Sequence, residues 1–249
     1  MGIILGLVAF ALCAFVYVRM VRREIPEPLG KKQAVIPVVI GLAAPIFGTA
    51  LIIFFGLIMK WTIGMPLAGL SDSLVYKALV TSFISAGFTE EFVKCLLFLL
   101  VVKIFKPKNV YEVALFCVGI GVGFTLMEEV LYGAGNIMTA LFRIPCFGLH
   151  AAFAVIMGTQ FGLARYKKQN NLGGSGMHIF LGLFLPMLWH TLYDAATADN
   201  TGLMVEDGAA NTTGIIIALV AVVISVVLQF VVFIRFKNKS GEYCGMSLT

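Results

Sequence analysis

Seven stretches of this chain run almost free of charge for about the twenty residues that span a membrane's hydrocarbon core. They are Gly2 to Val18, Val35 to Trp61, Leu74 to Phe105, Val110 to Gly133, Phe147 to Ala164, His178 to Ala196 and Gly214 to Phe236. The pattern predicts an all-α fold, a polytopic membrane helix bundle forming one domain over residues 1–249. Pro37 and Pro45 are expected to kink the second helix. The third is over-long for a bilayer and is expected to tilt or to project beyond it. Gln169-Asn-Asn-Leu-Gly-Gly-Ser-Gly176 reads as a polar, turn-rich loop between the fifth and sixth.

Charge adds an orientation. Arg19, Arg22, Arg23, Lys31 and Lys32 follow the first stretch, Lys103, Lys106 and Lys108 the third, Arg165, Lys167 and Lys168 the fifth, and Arg235, Lys237 and Lys239 the seventh. The alternate connections hold Lys60, Lys77 and Arg143 beside Asp72, Asp199, Glu206 and Asp207. Short cytoplasmic loops carry the excess of lysine and arginine, so the N-terminus is expected outside and the C-terminus in the cytoplasm. The first stretch has its basic residues after it, the reverse of a cleavable signal peptide, and is kept as a helix.

Composition agrees: 60% of residues are hydrophobic and 12% charged, about half the charge of a soluble domain. The net charge of +5 follows from topology, implying contact with anionic lipid and no nucleic-acid footprint. Cys13, Cys95, Cys117, Cys146 and Cys244 are odd in number and scattered, and read as packing residues. The last of them lies two residues too early for a prenylation box.

Against this apolar background, Glu90, Glu91, Lys94, Glu128, Glu129, His150, His190 and Asp194 stand out. A charge at the centre of a spanning helix costs roughly 2.5–3.5 kcal/mol on insertion scales, so such groups are expected to face one another. The alternating topology places those of four helices in the outer half of the bilayer. Glu90 and Lys94, Phe124 and Glu128, and His190 and Asp194 are each four residues apart and share a helix face. Asp194 is expected to fix the ring of His190. Glu91 is rotated about 100° from Glu90, so one of the pair is expected to act and the other to support.

Glu129, by contrast, is expected to snorkel. His178 is expected to be an interface residue. Glu112 and Arg143, at helix ends, take solvated or topological roles by default. Gly121, Gly123 and Gly158 are read as close helix packing.

Glu90-Glu91-Phe-Val-Lys94, Phe124-Thr-Leu-Met-Glu128, His150 through Gly158, and His190-Thr-Leu-Tyr-Asp194 resemble, in that order, the motifs of the PrsW family of bacterial intramembrane proteases. That family is related to the CAAX prenyl endopeptidases and, more remotely, to APH-1. The resemblance covers residues 74–196 as a catalytic core; Glu129 departs from it, where the family often has asparagine. It implies a multi-pass protein of the bacterial cell membrane that cuts single-pass membrane proteins, such as anti-sigma factors, near the outer face.

In that reading Glu90 activates water. His190 and Asp194 help to bind the oxyanion, His150 and Glu128 orient water or serve the leaving group, and Glu91 and Lys94 set the field around Glu90, with Phe124 in support. No cofactor is favoured. If zinc is used, His150, His190 and Glu128 form a two-histidine, one-carboxylate set with an open position. The alternatives are a non-catalytic APH-1-like scaffold and a transporter, the latter disfavoured by the lack of inverted repeats.

Overall fold

The first apolar stretch forms helix α1 (Gly2–Val21), and Pro26 and Pro28, which cannot continue a helix, separate it from α2 (Lys31–Met59). α2 passes through Pro37 and Pro45 without ending, then continues as a π-helical turn, Lys60–Gly64, into the short α3 (Met65–Ala68). The computed structural model describes residues 2–24, 26–135, 143–198, 203–206 and 209–248, with side chains at 2, 45–49, 51–52, 132–135, 205–206 and 209–210 excepted. Asp199 and Asp207, counted above among the outward charges, lie outside the described residues.

The third stretch is not one continuous α-helix. It divides into α4 (Leu74–Ser82), a π-helical segment (Phe83–Phe88) and α5 (Thr89–Phe105). The wider π turns explain how so long an apolar run is accommodated, and they end directly before Glu90 and Glu91. Single π turns of this kind recur at functional sites. The remaining helices are α6 (Val110–Gly135), α7 (Leu149–Gln169), α8 (Ser175–Thr197), α9 (Thr212–Asn238) and α10 (Ser240–Gly245). Val205–Glu206 pairs antiparallel with Ala209–Ala210 before α9. Among the described residues α1, α6, α7, α8 and α9 are each long and apolar enough to cross a membrane. The protein is a polytopic helical membrane bundle.

α6 is the central helix. Of its spanning stretch 89% is buried, against 22% for α9, because α1, α2, α5 and α7 pack around it. The α6–α7 crossing needs small residues: a Cβ at Gly121 would lie 2.7 Å from the His150 carbonyl oxygen, and one at Gly158 2.7 Å from the Ala114 Cα. Backbones approach this closely in membranes where glycine permits it. The consequence is that His150 sits directly against the glutamate-bearing helix.

α5 ends on Lys106 in the left-handed conformation, φ 49°, and α6 starts on a reciprocal cap. Asn109 Oδ1 accepts from the Glu112 amide at 2.8 Å, and Glu112 Oε2 accepts from the Lys108 amide at 2.7 Å. Glu112 is therefore buried and structural, not solvated as its position suggested.

Beside it, Glu24 is buried too, with Oε2 lacking a partner among the described residues. Burial, then the neighbouring Glu112, pushes its carboxyl up to about 8. A raised acid contributes stability that is fully present below the ordinary carboxylate range and lost as pH rises through about 8. The melting temperature of the wild type is expected to fall between pH 5 and pH 9 by more than that of Glu24→Gln, by several degrees. Equal slopes in thermal unfolding of the two proteins would refute this account of Glu24.

Candidate active site

The α5 start, the α6 end, the α7 start and the α8 end meet at the end of the bundle opposite the lysine- and arginine-rich connections. Lys94 is the hub of what they deliver. Its Nζ donates to Glu91 Oε1 at 2.8 Å, lies 3.5 Å from Glu90 Oε2 and 2.9 Å from His150 Nδ1, and sits 4.0 Å over the Phe124 ring. An ammonium has no lone pair, so His150 Nδ1 accepts, and Nε2 is the nitrogen that donates to Glu128 Oε2 in a short contact. Lys94 thereby fixes the tautomer of a histidine on another helix.

His190 is held differently from expectation. Its Nδ1 lies 2.9 Å from Glu91 Oε1, whereas its Nε2 lies 3.6 Å from Asp194 Oδ2 and 3.9 Å from Glu90 Oε2. Glu91, not Asp194, orients the ring. The adjacent glutamates, expected to point apart, reach opposite nitrogens of the same imidazole. Glu91 is 1% exposed and pinned between Lys94 and His190, while the Glu90 side chain is 16% exposed, so Glu90 is the acid of the pair that water reaches.

Two further residues belong to this neighbourhood: Arg143, expected to take a solvated or topological role, and Gln229, which the sequence did not single out. Arg143, in the connection before α7, donates through Nη2 to Glu128 Oε2 at 2.8 Å and through Nε to Glu129 Oε1 at 3.1 Å. Glu129 is thus buried and ion-paired, not snorkelling. The signal was a lone arginine seven residues before His150, in a connection on the sparsely basic side.

Gln229 of α9 is fully buried; its Nε2 donates to the Pro145 carbonyl at 2.7 Å, and its Oε1 accepts from the Gly148 amide at 3.1 Å. It clamps the turn that carries Arg143 and His150. Its signal was an amide in an otherwise apolar span, four residues after Ser225, which accepts from Trp189 Nε1 at 3.0 Å. His178 Nδ1 lies 2.6 Å from Gln160 Oε1 of α7.

A small cavity of about 10 Å³ lies between Arg143, Glu129, His150, His190 and Asp194, roughly what one water requires.

The donor set suits a divalent cation. Glu90, His150 and His190 each offer a ligand atom within 4.8 Å of the other two, and a carboxylate behind the ligating histidine, as Glu91 is behind His190, is the usual orienting arrangement. The carboxylate that joins the histidines is Glu90, not the Glu128 of the sequence expectation. Glu90 and Glu91 face Lys94, Glu128 and Glu129 face Arg143, and Asp194 lies beside His190. His150, with one nitrogen on Lys94 and the other on Glu128, would exchange a partner to ligate.

Fold and cluster together define a polytopic membrane protein with a buried carboxylate, histidine and lysine centre. The profile described as PrsW family intramembrane metalloprotease matches residues 32–234, and the chain belongs to that family. It is 36% identical over 132 residues to protease PrsW of Halalkalibacterium halodurans, covering 51% of this chain and 59% of that one. It is also 28% identical over 128 residues to protease PrsW of Geobacillus kaustophilus, covering 50% and 55%, and 30% identical over 121 residues to that of Bacillus subtilis, covering 45% and 52%. The chain thus spans little more than half the length of these curated relatives. No solved structure matches it.

Proposed function

We propose that this protein is an intramembrane endopeptidase that cuts single-pass membrane proteins, anti-sigma factors among them, near the outer membrane face, with residues 74–196 as its catalytic core. The observation that carries the reading is the convergence of Glu90, Glu91, Lys94, Glu128, His150 and His190 from four helices into one hydrogen-bonded cluster. Family membership supports it.

Glu90 is the general base: a carboxylate in a membrane interior, partly open to water, can take the proton of an attacking water. Glu91 and Lys94 hold their neighbours in place. His190, oriented by Glu91, presents Nε2 on the side of Glu90 and Asp194, where His190 helps to stabilise the oxyanion and Asp194 supports it. Glu128 and His150, joined by the His150 Nε2 hydrogen bond, orient water or serve the leaving amine. Zinc held by Glu90, His150 and His190 would supply Lewis-acid activation of water and carbonyl. As base and as ligand Glu90 has exclusive roles, and we favour the base.

All four site-bearing helix ends lie opposite the basic face, which the lysine and arginine bias assigns to the cytoplasm. Purified protein incubated with a single-pass reporter is expected to release the reporter's external domain, cut at or just beyond the outer end of its span. Prolonged chelation is expected to leave the rate unchanged. Mass spectrometry of the fragment locates the bond. A cut on the cytoplasmic side would overturn the site geometry, and activity lost on chelation and restored by zinc alone would move Glu90 from base to ligand.

A further inference from the structure

α7, α8 and α9 leave a second polar opening, at the basic end of the bundle and remote from the carboxylate cluster. A cavity of about 360 Å³ there is lined by Thr159, Arg235 and Lys239 together with Ile156, Leu185 and Val232. The same three apolar residues also line a cavity of about 510 Å³ between α8 and α9, so the two form one groove with a cationic end and an apolar body. Val232 and Arg235 are i and i+3 on α9 and share a face, and Lys239 is the C-cap residue that follows it.

Two observations point to an anionic occupant. Thr159, 7% exposed, lines the cavity, and its buried Oγ1 has no hydrogen-bond partner among the described residues. Arg235 and Lys239 are exposed, and Lys239 has as its counter-ion the exposed Glu242 at 3.4 Å, a surface pair of little strength. The groove therefore combines two available cations, an unmet hydroxyl and an apolar trough. A substrate's spanning helix is a poor match, because its own flank on this face carries lysine and arginine by the same topological bias.

We propose that the groove binds an anionic phospholipid, with its phosphate at Arg235, Lys239 and the Thr159 hydroxyl and an acyl chain along Ile156, Leu185 and Val232. Basic pockets between spanning helices at the cytoplasmic surface recognise lipid headgroups in this way. The lipid bridges α7, α8 and α9 on the side away from the cluster. The proposal does not depend on the protease reading.

Titrating detergent-purified protein with dioleoylphosphatidylglycerol and following lipid retention by native mass spectrometry, with melting temperature in parallel, tests it. Phosphatidylglycerol is expected to bind and to raise the melting temperature, whereas dioleoylphosphatidylcholine and inorganic phosphate are not. Arg235→Ala with Lys239→Ala is expected to weaken retention about thirtyfold, each basic residue contributing roughly fivefold. Arg235→Lys with Lys239→Arg retains it. Ile156→Trp, which fills the trough and leaves the charges, also weakens it, so the test survives if the alanine variant fails to fold. Equal retention of phosphatidylcholine, a response to phosphate alone, or unchanged retention in the alanine or tryptophan variant overturns the site. So does displacement of the lipid by a synthetic apolar single-span peptide.

Discussion

Glu90→Gln is expected to remove cleavage of a single-pass substrate by about 10²–10⁴-fold, the range a positioned general base supplies, while leaving the melting temperature within a few degrees of wild type. The side chain is the more open of the two glutamates, and its nearest cation, Lys94, is 3.5 Å away. Glutamine keeps its shape and removes its basicity. Glu91→Gln is expected to behave the other way round, lowering the melting temperature and retaining part of the activity, because Glu91 contacts both Lys94 and His190 at hydrogen-bond distance. Fragment yield and thermal unfolding on the same preparations separate the two. Should Glu91→Gln lose all cleavage at wild-type stability while Glu90→Gln keeps it, the base is Glu91. Fragment yield that changes in neither variant would instead mark the protein as a scaffold.

Lys94→Met is expected to be the most damaging substitution for stability, at about 3–5 kcal/mol, the usual effect of removing one partner of a buried ion pair. Methionine fills a similar volume and leaves Glu91 with His190 alone, His150 Nδ1 without a donor, and the Phe124 face without its cation. Combining it with Glu91→Gln is expected to recover part of the loss, since the uncompensated charge is then gone. Thermal unfolding of the two single variants and the double variant measures this coupling. Additive losses would mean that Lys94 and Glu91 do not interact as their 2.8 Å separation implies.

The helical membrane bundle was legible in the sequence because lipid leaves an exposed backbone few alternatives: a long apolar run must satisfy its own amides as a helix. The same logic marked the site. Charges in such runs are costly unless they meet, so Glu90, Glu91, Lys94, Glu128, His150, His190 and Asp194 could be named from spacing alone, and their motifs carried the family resemblance. The break of the third stretch into α4, a π segment and α5 was not legible, because π turns follow from packing and leave no compositional mark.

Pairing within the site was decided by tertiary structure. Spacing along one helix relates i to i+4, which suggested Asp194 as the partner of His190; Glu91 holds that ring from a different helix. The two glutamates that diverge by about 100° on α5 still reach one imidazole, because the ring presents a nitrogen to each. Arg143, expected to be solvated, and Gln229, not singled out, were missed for the same reason. One lies in a connection and the other on the last helix, and only folding brings them against Glu128 and the turn before His150. The sequence thus determined which groups must be buried together; helix packing, through close crossings such as Gly121 against His150, decided which atoms touch.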